Sequence, residues 1–596
     1  MKANASPSTN ELPREGGPTM ERAGKRSLRS ARWYAREDMR GFAHRQRMQQ
    51  MGLRREDFLD RPVIAIINTW SDMSPCHAHL RERATAIKRG VLLAGGYPVE
   101  LPALSVGEVM VKPSTMLYRN FLAMETEELL RSHPIDGAVL LGGCDKSIPG
   151  MLMGAISMDV PAIVCPAGPM SNGQWRGVRV GAGTHTKKYW DELRAGNITP
   201  EDWIDLESRM TRSIGTCNTM GTASTMSAIA EALGMTLCGA SSIPAADSGH
   251  VRMAAECGAR IVAMVQEDLR PSHILSAAAF RNAATVYMAL GGSTNAAIHL
   301  IAMAGRAGIS LTLDDLGAVA RAIPVCVNLF PSGDRLMEDF YFAGGLPALL
   351  AKLGARVELE CRTVQGCTLG AAIAGARCYD DTVIRGLDDP VVPLSRGRTL
   401  DVLRGSLCPD GAVLKSSAAE PRLLRHEGAA LVFDSPEELT ARIDDPALAV
   451  DENSVLVLRN SGPVGAPGMP EWGNLPIPRK MLARGVRDMV RICDGRMSGT
   501  HYGCCIVHVA PESAIGGPLG LLRTGDRVRL DVPAGRLDML VSPQELVARR
   551  AAWRAPTRTY QRSYAALYQA HVTQAPQGCD FDFLSGRAPT PEPVIF

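Results

Sequence analysis

No apolar run in this sequence approaches the ~18 residues needed to span a bilayer, so a helical membrane protein is excluded. The first thirty residues are rich in Ser, Pro, Gly, Arg and Glu and lack the apolar core of a secretory signal. They read as a flexible tail, and the expected location is the cytoplasm. An excess of one charge is also missing: 65 Lys and Arg face 62 Asp and Glu, a net charge of +3. That argues against a nucleic-acid or anionic-membrane partner, since such surfaces need a basic excess. Among the 15 cysteines there is no Cys-x-x-Cys pair, so neither a zinc nor a local ferredoxin pattern is present. Most are expected to be small buried hydrophobes in a reducing compartment. There is no Walker-type loop, and Gly181-Ala182-Gly183 is too short for a dinucleotide fingerprint, which disfavours an NAD-dependent oxidoreductase. Ser498, between Met497 and Gly499, is not in a Gly-x-Ser-x-Gly elbow, so a hydrolase nucleophile is unsupported.

What is present is a chain of 596 residues, too long for one core. From Arg61 to about Ala320, short apolar runs alternate with helical stretches. Pro62–Ile67, Gly137–Leu141 and Pro161–Val164 read as buried strands. His79–Leu93, a segment from about Pro149, and Thr219–Leu233 read as helices. That alternation predicts an α/β domain whose parallel or mixed sheet is covered on both faces. After about Arg377, short strand-like runs dominate: Ala430–Phe433, Val455–Leu458, Cys505–His508 and Arg527–Leu530. They predict a C-terminal β-rich, barrel-like domain. The expected division is a tail over 1–30, an α/β domain over 31–385 and a β-rich domain over 386–596.

Ligands of α/β sheets bind beyond the carboxyl ends of the strands. Three cysteines fall at such junctions: Cys76 after the first strand, Cys144 after the strand ending at Leu141, and Cys217 just before a helix. A helix start favours a thiolate, as metal ligation requires. Each cysteine taken alone is more simply a buried space-filler, and the wide spacing identifies no metal. Asp145 and Lys146 follow Cys144 directly and read equally well as a structural ion pair or as part of a site. Glu108 and Glu471 lie in glycine-marked loops, where a solvated acid is the simpler reading. His77 and His79 form a His-x-His pair, weak evidence for a metal.

Taken together, Pro75-Cys76, Gly143–Gly150, Gly215–Met226, Asp494–Thr500 and Pro511–Pro518 resemble the dihydroxy-acid dehydratase / phosphogluconate dehydratase superfamily. The resemblance runs from about Leu28 over nearly the whole chain. Asn68–Met73 and Cys217–Thr225 resemble most its pentonate (L-arabinonate and D-xylonate) dehydratase branch. It implies that Cys76, Cys144 and Cys217 hold a 2Fe–2S cluster, and that Glu108, Asp145, a carbamylated Lys146 and Glu471 surround Mg²⁺. It implies Ser498 as the base, with Thr500 beside the substrate, and a homodimer or homotetramer. The implied reaction removes water from C2–C3 of an aldonate, L-arabinonate or a similar pentonate, to give a 2-keto-3-deoxy acid. Two positions depart from the common pattern: His77, where Asn is usual, and Ala167, where Gly is usual. The alternatives are a dihydroxy-acid dehydratase of branched-chain amino-acid synthesis and a non-catalytic iron–sulfur sensor.

Overall fold

The computed structural model describes residues 27–557, 560–586 and 591–595, so the expected tail lies almost wholly outside the described residues. At its end Ser30 is buried, and its backbone N–H and hydroxyl donate to the Asp136 carboxylate at 2.9 and 2.7 Å.

The first domain is built on four parallel strands, β1 (Val63–Asn68), β2 (Tyr97–Pro102), β3 (Gly137–Gly142) and β4 (Ala162–Pro166), in the order β2-β1-β3-β4. The inner strands β1 and β3 are buried along their whole length, as their unbroken apolar runs predict. β2 carries Pro98 and Pro102, which hide it from a search for apolar runs. It is an edge strand, where a missing N–H costs no ladder bond. The helices that matter to the site are α1 (Leu80–Leu93), α2 (Thr115–Ser132), α3 (Cys144–Met158), α4 (Thr184–Ala195), α5 (Thr222–Ala232), α6 (Ser248–Glu267) and α7 (Asn295–Arg306). Two glycines of β3 show which faces they cover. A Cβ on Gly137 would press on Val265 and Ile261 of α6, and one on Gly142 would meet Met151 of α3. Five residues apart on a strand, these positions point to opposite faces. Gly90 of α1 then admits the Ala255 carbonyl of α6, and Gly154 of α3 admits the Ala123 carbonyl of α2.

One expectation is corrected here. The helix after β3 starts at Cys144, not near Pro149, because Gly143 alone makes the turn and acts as N-cap. Cys144, Asp145 and Lys146 therefore occupy a helical first turn and not a loop. Pro149 sits inside the helix, where it has no N–H to donate to the Asp145 carbonyl.

The second domain holds β5 (Asp401–Leu403), β6 (Gly411–Leu414), β7 (Arg425–Phe433), β8 (Val455–Leu458), β9 (Arg491–Cys493), β10 (Cys505–Ala510), β11 (Arg527–Asp531) and β12 (Arg536–Met539). They form one mixed sheet in the order β12-β11-β7-β8-β9-β10-β6-β5, with β7 to β10 parallel. A bridge between Arg404 and Arg536 ties the two edges, so the sheet is a nearly closed barrel with little open edge. Alternation along β7 sorts the core: Ala430 and Val432 face the interior with Val457, Ile492 and Ile506, while Leu431 and Phe433 face a second layer with Leu439 and Met481. The C-terminal segment returns to the first domain. There Asp580 receives a two-point contact from Arg306, at 2.6 and 3.0 Å, and the Cys579 carbonyl accepts from Arg119 at 2.7 Å. Among the described residues no helix is long and apolar enough to cross a membrane.

Candidate active site

The site grows from the carboxyl ends of β1 and β3. Cys144, first residue of α3, has φ +62°, a left-handed conformation that costs a non-glycine residue of order 1–3 kcal/mol and is commonest where function demands it. Cys76 lies between β1 and α1, and Cys217 just before α5. The Cys76 and Cys144 thiols are hydrogen-bonding neighbours, and Cys217 is within electrostatic range of both. The Cys144 neighbour and burial hold Cys76 well above the ordinary thiol range, while burial and then Asp145 do the same to Cys217. Three gathered thiols cannot all ionise without a cation to offset them, and three sulfurs are a soft but incomplete donor set. They fit an iron–sulfur cluster that keeps one position open. His77 braces this corner: Nδ1 is 2.8 Å from Ser105 Oγ and Nε2 is 2.9 Å from the Gly143 carbonyl. Burial holds it down to about 4, so the ring is neutral. Ala167 packs on Gly143, where an added Cβ would stand 2.4 Å from the Ala167 Cβ.

In the same first turn of α3, carboxylates from both domains converge on Lys146. Its side chain is fully buried, and Nζ lies 2.8 Å from Glu108 Oε2, 3.3 Å from Asp145 Oδ2 and 3.4 Å from Glu471 Oε1. Ligand oxygens of Glu108, Asp145 and Glu471 all lie within 4.8 Å of one another, a hard oxygen set that fits a divalent cation such as Mg²⁺. Burial pushes Glu108 up to about 6. Burial also acts against Glu471, but Lys146 and Arg496 outweigh it and hold that carboxyl down to about 2. The same carboxylates raise Lys146 against burial.

Ser498 and Thr500 enter from the loop after β9, with their hydroxyl oxygens 2.9 Å apart. Thr500 is wedged between two glycines of the first domain: a Cβ on Gly183 would lie 2.0 Å from its Oγ1, and one on Gly221 2.7 Å from its Cγ2. Gly221 is four residues beyond Cys217, so this loop reaches the cysteine corner.

All nine residues singled out from the sequence thus lie in one region between the domains. Reading the sequence missed three more. Arg496, fully buried, donates to Glu471 Oε1 at 2.9 Å, to Ser114 Oγ at 2.9 Å and to the Met469 carbonyl at 2.8 Å. Asn295, at the start of α7, donates to the same Glu471 oxygen at 2.9 Å. Thr115 donates to Glu108 Oε2. Only Arg496 had any signal, through its place in the Asp494–Thr500 run.

Three carboxylates that could hold a divalent cation and a corner of three thiols lie between an α/β sheet and a barrel, donor sets suited to metal-assisted chemistry. Residues 61–372 match the family described as dihydroxy-acid/6-phosphogluconate dehydratase N-terminal, and residues 382–579 match its C-terminal counterpart. The chain is 67% identical to the 6-deoxy-6-sulfo-D-gluconate dehydratase of Pseudomonas putida, over 95% of this chain and 98% of that protein. It is 48% identical to the L-arabinonate dehydratase of Rhizobium leguminosarum bv. trifolii, over 94% and 97%. With the D-xylonate dehydratase of Caulobacter vibrioides it shares 38% identity, over 94% and 96%. The chain belongs to the dihydroxy-acid/6-phosphogluconate dehydratase family, and it is a hydro-lyase.

Proposed function

We propose that this enzyme dehydrates a sugar acid at C2–C3 to a 2-keto-3-deoxy acid. A 2Fe–2S cluster on Cys76, Cys144 and Cys217 and a Mg²⁺ held by Glu108, Asp145, carbamylated Lys146 and Glu471 complete the site. The observation that carries the reading is the convergence of three carboxylates from two domains on Lys146, in the same helical turn as Cys144 of three gathered thiols. When bound, Mg²⁺ supplies positive charge for the substrate carboxylate and the enolate, and the cluster's open iron supplies a Lewis acid for the C3 hydroxyl. The chain's own residues do the rest. Ser498 Oγ, as its alkoxide, takes the C2 proton, and Thr500 Oγ1, 2.9 Å away, donates to that alkoxide. Arg496 and Asn295 fix the Glu471 carboxylate. Ser498 returns that proton to the C3 oxygen, which leaves as water, and the enol tautomerises to the 2-keto acid.

The resemblance in sequence points to L-arabinonate as substrate. The 67% identity to a 6-deoxy-6-sulfo-D-gluconate dehydratase, against 48% to the L-arabinonate enzyme, favours instead a six-carbon acid with an anionic C6 group. L-Arabinonate, D-xylonate, D-fuconate and D-galactonate are the alternatives. Protein purified without oxygen and supplied with Mg²⁺ should form 2-keto product fastest from 6-deoxy-6-sulfo-D-gluconate. Turnover of 2,3-dihydroxyisovalerate alone would sink the sugar-acid reading. A homodimer or homotetramer in the cytoplasm is part of the same proposal, and light scattering tests the assembly.

A further inference from the structure

Glu512 follows β10 and has no part in the chemistry above, yet it is fully buried. Its carboxylate accepts the Val464 N–H at 2.9 Å, the Gly465 N–H at 2.8 Å and the Gln574 side-chain amide at 2.7 Å. Its own N–H donates to Gln574 Oε1 at 3.0 Å. Beside it, Asp494 accepts the Ser461 N–H at 2.8 Å and the Ser513 N–H at 2.9 Å. The fit is tight, since a Cβ on Gly462 would stand 2.5 Å from Glu512 Oε2. The segment held in this way begins at Ser461 and ends at Glu471. Asp494 opens the run that carries Arg496 and Ser498. Both halves of the second domain's contribution to the site therefore hang from one pair of buried carboxylates.

We propose that Glu512 is a positioning residue: its ionised carboxylate fastens the 461–471 loop so that Glu471 meets Glu108 and Asp145, and Gln574 ties that loop to the C-terminal segment. The inference rests on the magnesium reading above. Every hydrogen-bond partner of the carboxylate is a donor, so only the ionised form satisfies all of them, and a protonated oxygen would face an N–H. The titratable groups facing Glu512 are Asp494 and Cys579. Burial, and then Asp494, push Glu512 up to about 7. The fastening therefore weakens as pH falls through neutrality, with the proton bound by the loop's anchor and not by a metal ligand.

Mn²⁺, followed by its EPR signal, probes the cation site without turnover. Glu512→Gln should weaken Mn²⁺ binding by about tenfold at mildly alkaline pH, the scale of residues that orient metal ligands. It should also flatten the fall in affinity near neutrality, while cluster absorbance holds in the folded variant. Binding within about twofold of the parent, with the same pH profile, would overturn the proposal. Should Glu512→Gln fail to fold, Gln574→Ala decides. That variant keeps the carboxylate and removes one donor, so weaker Mn²⁺ binding supports the proposal and parental binding overturns it. A parent protein that takes up no Mn²⁺ overturns the magnesium reading itself, and this inference with it.

Discussion

Lys146 and Arg496, both fully buried, reach the same oxygen, Glu471 Oε1, at 3.4 and 2.9 Å. That oxygen is thus saturated by cations from two domains. A divalent ion arriving between Glu108, Asp145 and Glu471 would be repelled by the Lys146 ammonium. Under the proposed function, conversion of that amine to a carbamate would exchange the repelling charge for an anionic ligand and leave Arg496 as the cation holding Glu471.

Lys146→Met and Lys146→Arg should therefore behave alike. Both should lose about 100-fold or more in turnover, because neither side chain forms a carbamate. Lys146→Arg retaining parental activity would show that charge, not carbamate, is what the position supplies. Labelled bicarbonate with NMR detection gives an independent reading on the parent.

Ser498→Ala should lower kcat by about 10²–10⁴-fold and leave KM nearly unchanged, as expected of a group whose proton transfer occurs in the transition state. Thr500→Val should cost less, since it removes a donor to the base and not the base itself. Full turnover by Ser498→Ala in cluster-loaded protein would assign the base elsewhere.

Gly183→Ala tests the wedge that holds Thr500. The new Cβ would lie 2.0 Å from Thr500 Oγ1, at a φ of +83° that an L side chain rarely adopts. The expected cost is about 1–3 kcal/mol in stability, with turnover falling further than the melting point alone explains. Thermal unfolding paired with kinetics separates the two effects.

Much of this arrangement was legible beforehand, and the illegible part has a physical cause. β1 and β3 announce themselves because a strand buried on both faces must be apolar throughout. β2 does not, because an edge tolerates Pro98 and Pro102. Cys76, Cys144 and Cys217 could be placed at strand ends, since strand ends follow from the strands. The convergence on Glu471 could not be read: Arg496 comes from the barrel side and Asn295 from α7, and their meeting depends on how two domains dock. Asp145 and Lys146 illustrate the ambiguity. As sequence neighbours they suggested a local pair, but Lys146 sits closer to Glu108, 38 positions away.

Lys415 supplies a pH test outside the site. It extends from the end of β6, is fully buried, and donates to the Gly291 carbonyl of the first domain at 2.6 Å. Burial lowers it from 10.5 to about 7. Between those values the unfolded chain binds the proton more tightly than the folded one, so stability should rise with pH across that window and fall toward neutrality. Lys415→Met should flatten this slope in melting temperature against pH. An unchanged slope would mean that the ammonium is not excluded from the interior.

Only one residue, Gly143, separates the end of β3 from the helix that presents Cys144, Asp145 and Lys146 in succession. A sulfur corner and an oxygen cage hung from adjacent residues share a single ruler, and neither can be re-spaced without moving the other. A substitution in this corner would therefore disturb both donor sets at once. Insertion or deletion at Gly143 would shift Cys144 among the three thiols and Asp145 among the three carboxylates together, whereas the loops around them can change without altering that spacing.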